Sequence, residues 1–306
     1  MSALDAAYDE RRETGPLESC LGIVGLRLAE GTWSEFDFIE VRVVEVRANI
    51  HELQRAISDG VVATVLSRYS SYVAHELVIR EGLATGDDAP ILGLRFADLL
   101  RIQSGPEILI PGALDASWCA RTMNRLAERT CRGQLLEDYP NSISIDGGAA
   151  ASHDQLRWTL EHLTIFSQLY TTRDTFALAV DAFCRHIQQS TKRMSAAMLW
   201  SGVEALFGTR GNETTYRLAI YVASYLEPPG IARLELFRKI KDLYNTRSRL
   251  IHGNTTATVD LDAHLRETRI LLQRLLQRMI IDNEVPTSER FDELVLAPDA
   301  SEEQIR

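Results

Sequence analysis

Hydrophobic and polar positions recur along this chain at two periods, near two in its first part and near three to four in its second. Ile39, Val41 and Val43 alternate with Glu40 and Arg42, and Val44 and Val46 then alternate with Glu45 and Arg47. Residues 36–47 therefore read as a strand with a bulge at the phase switch, and 21–28 reads as another. Asn49 is placed to cap a helix whose apolar positions Ile50, Leu53, Ile57, Val61, Val65, Tyr69, Tyr72 and Val73 fall three and four apart, with Gly60 as a break point. After the turn signal Gly86-Asp87-Asp88 comes a short apolar stretch, and 107–110 reads as a short strand or loop between Gly105-Pro106 and Pro111-Gly112. Residues 115–137 read as a further helix, so the first half is a mixture of strands and helices.

Residues 138–153 are loop-like, and beyond them the helical period takes over. Helices are expected at 154–170, 174–189, 190–207, 213–226, 231–252 and 260–282. Asp174, Asn212 and Asp260 stand where caps belong, and Gly208, Pro228-Pro229-Gly230 and Gly253 stand where helices stop. Short connections of this kind predict antiparallel neighbours. The expected fold class is α+β, with a mixed strand and helix module over 1–150 followed by an all-α antiparallel bundle over 151–282. The tail, 283–306, is acidic and expected to be partly mobile, as the first fifteen residues are expected to be frayed.

Composition narrows the classes. The 306 residues are 45% hydrophobic and 25% charged, the profile of a globular protein. No run approaches the ~20 apolar residues of a spanning helix, and Met1-Ser2-Ala3-Leu4-Asp5 is polar and acidic, so a cytoplasmic protein without a membrane partner is expected. Cys20, Cys119, Cys131 and Cys184 are scattered, with neither metal-ligand nor disulfide spacing. A net charge of −10 argues against a chain coated all over for nucleic acid. The charge is unevenly spread, however: residues 176–282 carry 15 Lys and Arg against 10 Asp and Glu. A local basic surface is therefore compatible with an acidic whole.

Several constellations are absent. His51-Glu52 and His75-Glu76 lack the second histidine of a zinc-protease helix. No nucleophile elbow, phosphate-binding loop, dinucleotide fingerprint or calcium loop occurs, and no metal or cofactor is expected. One segment stands out, 237–253. On a helix, Ile240, Leu243, Tyr244, Leu250 and Ile251 make an apolar stripe, and Arg247 falls within it. A guanidinium facing a core must be paired or line a water-accessible cleft. Glu204 is a candidate partner that would lock two helices, and Gly253 would end the helix and leave His252 at its edge. Tyr244 and Trp200 read as core.

Arg247 followed by four residues and His252 matches the R-x4-6-H motif of HEPN domains. Spacing alone is weak: 30 Arg and 7 His give roughly 0.7 such pairs by chance, and Arg157 with His162, or Arg68 with His75, also fit. The setting is more specific. Trp200-Ser201-Gly202-Val203-Glu204-Ala205-Leu206-Phe207-Gly208 on one helix and 244–253 on a later one together resemble the Apea-like branch of the HEPN superfamily, over about 176–281. That resemblance implies a metal-independent endoribonuclease, in a prokaryotic antiviral defence or toxin setting, that cuts RNA to a 2′,3′-cyclic phosphate and a 5′-hydroxyl. Arg247 and His252 would be catalytic and Ser248, Asn254, Tyr244 and Glu204 supporting. Arg249 and Lys241 are candidate phosphate contacts. It further implies a homodimer in which two motifs share a cleft, acting on single-stranded or looped RNA. The N-terminal module would then sense a trigger ligand or protein, or restrain the nuclease. Ser248 follows the motif arginine where active relatives often carry Asn, Asp or His, and Asn254 stands where nucleotidyl-transfer-silenced toxins carry Tyr. The alternative is a non-catalytic HEPN dimer that binds nucleic acid or a protein partner; an unrelated bundle with a chance motif is the third reading.

Overall fold

The computed structural model describes residues 18–28, 33–36, 39–80, 89–105, 108–138, 149–208, 214–251 and 260–296. The fold is mixed α+β, and the chain divides into two compact units, Met1–Glu161 and His162–Arg306. The division falls inside a helix, His153–Thr172, rather than in the loop-like stretch before it.

Unit 1 is built on a six-stranded antiparallel sheet. Its strands are β1 (Glu18–Val24), β3 (Trp33–Phe36), β4 (Ile39–Val43), β5 (Val73–Arg80), β6 (Gly112–Leu114) and β7 (Gly133–Leu135), in the order β3-β4-β5-β1-β6-β7. A separate parallel pair joins β2 (Leu26–Leu28) to β8 (Ala149–Ala151). Leu21 sits opposite Leu77, and Ile39 opposite Ile79. Helix α3 (Ala89–Ser104) covers that face. It can approach closely because position 93 is glycine: a Cβ there would stand 2.3 Å from a Leu21 methyl. On the other face α1 (Ile50–Ala56) and α2 (Gly60–Ser67) build a core of Leu53, Leu66, Val78, Leu114 and Trp118. A short α4 (Ala120–Arg125) completes the unit. Glu76 is buried in the sheet, where burial pushes its carboxyl up against the opposing pull of Arg42, 3.1 Å away.

Asn49 caps α1 as expected, in a full capping box with Glu52. Elsewhere the sequence reading is corrected. The helix ends before Asp59, which caps α2, and the apolar residues after Tyr72 belong to β5. That strand is buried on both faces, so its sequence shows no alternation. The stretch after Asp88 is a full helix, α3, and 115–137 is not one helix: it holds only the short α4 and the strand β7, joined by irregular chain. The pairing of Ile39–Val43 with β5 runs without a register shift, β4 ends at Val43 rather than bulging at the phase switch, and the Val44 N–H bonds the Ala74 carbonyl.

Unit 2 holds the end of α5 (His153–Thr172), then α6 (Asp174–Arg185), α7 (Lys192–Phe207), α8 (Thr214–Leu226), α9 (Ile231–Ile251), α10 (Leu261–Asp282) and α11 (Ser288–Leu296). These helices follow the sequence periodicity closely. Gly208 is left-handed at φ 56° and ends α7, and Asp260 accepts the N–H groups of Asp262 and Ala263 to start α10. Asp174 lies inside α6, one residue after the true cap position at Arg173. Asn212 and Gly253 lie outside the described residues, as do the first seventeen residues and 297–306. Within the described part of the tail, α11 buries Phe291 against Phe207 and Tyr221.

Helices α6 and α7 are antiparallel: Ser195 Oγ bonds the His186 carbonyl, and a Cβ on Gly202 would meet Ala182 at 2.8 Å. The bundle is not antiparallel throughout. Lys192 at the start of α7 pairs with Asp262 at the start of α10, and Gly202 farther on faces Leu272, so these two helices run together. Short connections fix direction only between sequence neighbours. No helix of the described residues is long and apolar enough to cross a membrane.

One buried group makes this unit acid-sensitive. His186 follows α6, its Nδ1–H donates to the Phe183 carbonyl at 2.7 Å, and burial pushes its pKa down to about 4 from 6.5. The unfolded chain then binds a proton that the folded one refuses, so the stabilisation is complete above pH 6.5 and drains as pH falls toward 4. Urea midpoints measured at pH 7, 5.5 and 4.5 are expected to drop over that window. A His186→Asn variant should show a shallower drop.

Candidate functional site

The site is built where α9 crosses α7. Ile240 and Tyr244 are buried on the inner side of α9, and Arg247 follows Tyr244 on the next turn, still facing α7. Tyr244 stands edge-on to the fully buried Trp200, ring centroids 5.2 Å apart. Its hydroxyl donates to Glu204 Oε1 at 2.9 Å, and the same oxygen takes Arg247 Nη2 at 3.2 Å. The Arg247 guanidinium lies 5.5 Å from the centre of the Tyr244 ring. Burial, followed by the bond to the Glu204 carboxylate, pushes the Tyr244 phenol up to about 12, so it remains a donor across the physiological range.

Two features mark Arg247 as more than a tie. Its side chain is 21% exposed, so the guanidinium borders solvent. Its Nε–H is buried, and among the described residues no acceptor meets it. A donor held in place and left open is what an incoming anionic oxygen would use.

The other expected residues are distributed around this point. Ser248 is half-buried on α9, next to Arg247. Arg249 is exposed and reaches back to Thr246 Oγ1 at 3.1 Å. Lys241 lies farther up α9, its ammonium 5.5 Å from the centre of the Phe237 ring. The structure thus brings Arg247, Glu204 and Tyr244 together and places Arg249 and Lys241 outside that cluster. His252 and Asn254 lie outside the described residues.

The sequence reading missed one member of the neighbourhood. Trp200 Nε1–H donates to His264 Nε2 at 3.2 Å, which puts the proton of the neutral imidazole on Nδ1. Burial lowers the His264 pKa, and its Nδ1 has no partner among the described residues. The signal was present in the periodicity: His264 and Thr268 continue the inward stripe of Leu271, Leu272, Leu275, Leu276, Met279 and Ile280, whereas Leu265 is only half-buried.

Comparison with protein-family models, with characterised proteins and with solved structures gives no match to this chain.

Proposed function

We propose that unit 2 is a HEPN-type bundle and that the protein is a metal-independent endoribonuclease. The observation that carries this reading is Arg247: a guanidinium set on the inner face of α9 by Glu204 and Tyr244, bordering solvent, with an unused buried N–H, five residues before His252. RNA brings its own nucleophile, the 2′-hydroxyl. Cleavage needs a base for that proton, an acid for the leaving 5′-oxygen and positive charge on the phosphate. His252 supplies proton transfer and Arg247 clamps the phosphate. The 2′-oxygen bonds to phosphorus as the 5′-oxygen departs with a proton, which gives a 2′,3′-cyclic phosphate and a 5′-hydroxyl. In a homodimer with two motifs in one cleft, one histidine acts as base and the other as acid. A defence or toxin role follows from the family resemblance, with unit 1 as the sensor of a trigger.

The ion pair to Glu204 favours a second reading, a non-catalytic HEPN dimer in which Arg247 ties α7 to α9. Incubating the protein and a His252→Ala variant with total RNA and tRNA in excess EDTA separates the two. Chelator-resistant cuts ending in cyclic phosphate, lost in a variant that remains folded, are expected. Cuts that persist in the variant, or that vanish with EDTA, would overturn the catalytic assignment.

A further inference from the structure

Helix α9 is charged out of proportion to its chain: Ile231–Ile251 holds six Lys and Arg against two Asp and Glu, in a protein of net charge −10. The helical period sorts these charges. Phe237, Lys241, Tyr244 and Ser248, spaced by four, three and four, lie along one side with Leu234 beside it, Glu235 and Asp242 lie well away from it, and Arg238 stands between the two, three residues from one acid and four from the other. Lys239 is spent on an ion pair with Glu267.

Aromatic surface lies beside those cations. Tyr216, on the first turns of α8, is 52% exposed and meets Phe237 edge-on, centroids 5.3 Å apart at 76°. The Lys241 ammonium lies over the other ring of that pair, Arg238 is exposed, and Leu234 is 46% exposed. Phe237 and Arg247 are ten residues apart on one helix, about 15 Å along its axis.

We propose that Tyr216, Leu234, Phe237, Arg238 and Lys241 form a track for single-stranded RNA that leads a strand along α9 to Arg247. The assignment rests on the endoribonuclease reading and names the part of the molecule that holds its substrate. The exposed Tyr216 ring, braced edge-on by the half-buried Phe237, accepts an unpaired base, which has a free π-face, and the cations beside it follow the phosphates. A duplex keeps its bases stacked inside and gains nothing from the rings. Charge complementarity also selects the occupant: a symmetric contact between two copies through this face would set Arg238 and Lys241 against their own equivalents, whereas a polyanion neutralises them.

The test uses the full chain, a fluorescent 12-nucleotide 2′-O-methyl oligouridylate and fluorescence anisotropy at several salt concentrations. The 2′-O-methyl group removes the nucleophile, so the titration reads binding alone, and cleavage is scored in parallel on unmodified RNA. Tyr216→Ala is expected to weaken binding about five- to tenfold, the loss of one stacked base. Lys241→Ala is expected to flatten the slope of log K against log salt by about 0.7, one phosphate contact on a single strand. Both substitutions sit on the surface, and circular dichroism checks that each variant is folded. Equal affinity for a duplex of the same length, wild-type affinity in both variants, or a change of oligomeric state in place of the affinity loss would overturn the track. Cleavage that survives with unchanged oligonucleotide binding removes the track and leaves the nuclease. Loss of Tyr216- and Lys241-dependent binding is therefore separable from absence of cleavage, which removes the nuclease and leaves the track.

Discussion

Replacing Glu137 with alanine is expected to destabilise unit 1 by about 3–5 kcal/mol, the cost of leaving a buried charge without its counterpart. Glu137 Oε2 accepts Arg101 Nη2 at 2.6 Å and the Ile110 N–H at 2.7 Å, and Arg101 also donates to Asp98 Oδ1 at 2.6 Å and to the Ile108 carbonyl at 3.0 Å. All three side chains are almost fully enclosed. The triad clips the end of α3 to the strand-forming segment around Ile110 and to the chain after β7. Without Glu137, the Ile110 N–H loses its acceptor and the cation keeps one carboxylate. Glu137→Gln keeps an acceptor oxygen and the shape while losing the charge, so it should cost less than alanine does. Urea unfolding of the full chain, followed by its tryptophan fluorescence, reads both. A loss below about 1 kcal/mol for alanine would place the triad among ion pairs that contribute little to stability.

Such a triad is invisible in the sequence, and it shows what was legible there and what was not. Unit 2 was readable because each of its helices buries one side only, which leaves a clear period: the expected 231–252 and 260–282 are observed as Ile231–Ile251 and Leu261–Asp282. Unit 1 was readable where a local rule acts, as at the Asn49 capping box, and unreadable where pairing across the sheet decides. β5 lies between β4 and β1 and buries both faces, so Val73 fitted the period of the preceding helix and the rest of the strand showed no alternation. Ala89–Ser104 was passed over because it buries most of its circumference, including Asp98 and Arg101, and so lacks a polar face. In the candidate site the stripe identified Arg247 as an inward-facing cation and Glu204 as its partner. The Trp200–His264 bond was missed because it joins residues from two helices far apart in sequence.

Arg247→Met is expected to lower RNA cleavage by about 100- to 1,000-fold, the usual effect of removing one charged donor from a transition state, while changing stability by no more than about 1 kcal/mol. The stability figure is small because the pair is partly exposed, 21% at Arg247 and 28% at Glu204, so water screens it. Arg247→Lys keeps the charge but loses both the fork and the Nε–H, and is expected to remain close to the methionine variant in cleavage. Glu204→Gln keeps an acceptor for the Tyr244 hydroxyl and leaves the guanidinium in place with a weaker anchor, so it should cost cleavage far less than any change at Arg247. A tie between α7 and α9 predicts the opposite pattern. Two partners of one bond then give matching stability losses, Arg247→Met and Glu204→Gln alike, and a double variant adds little beyond either single one. Asymmetry between the partners in cleavage, with little loss of stability in either variant, is the result that separates a phosphate clamp from a structural pair.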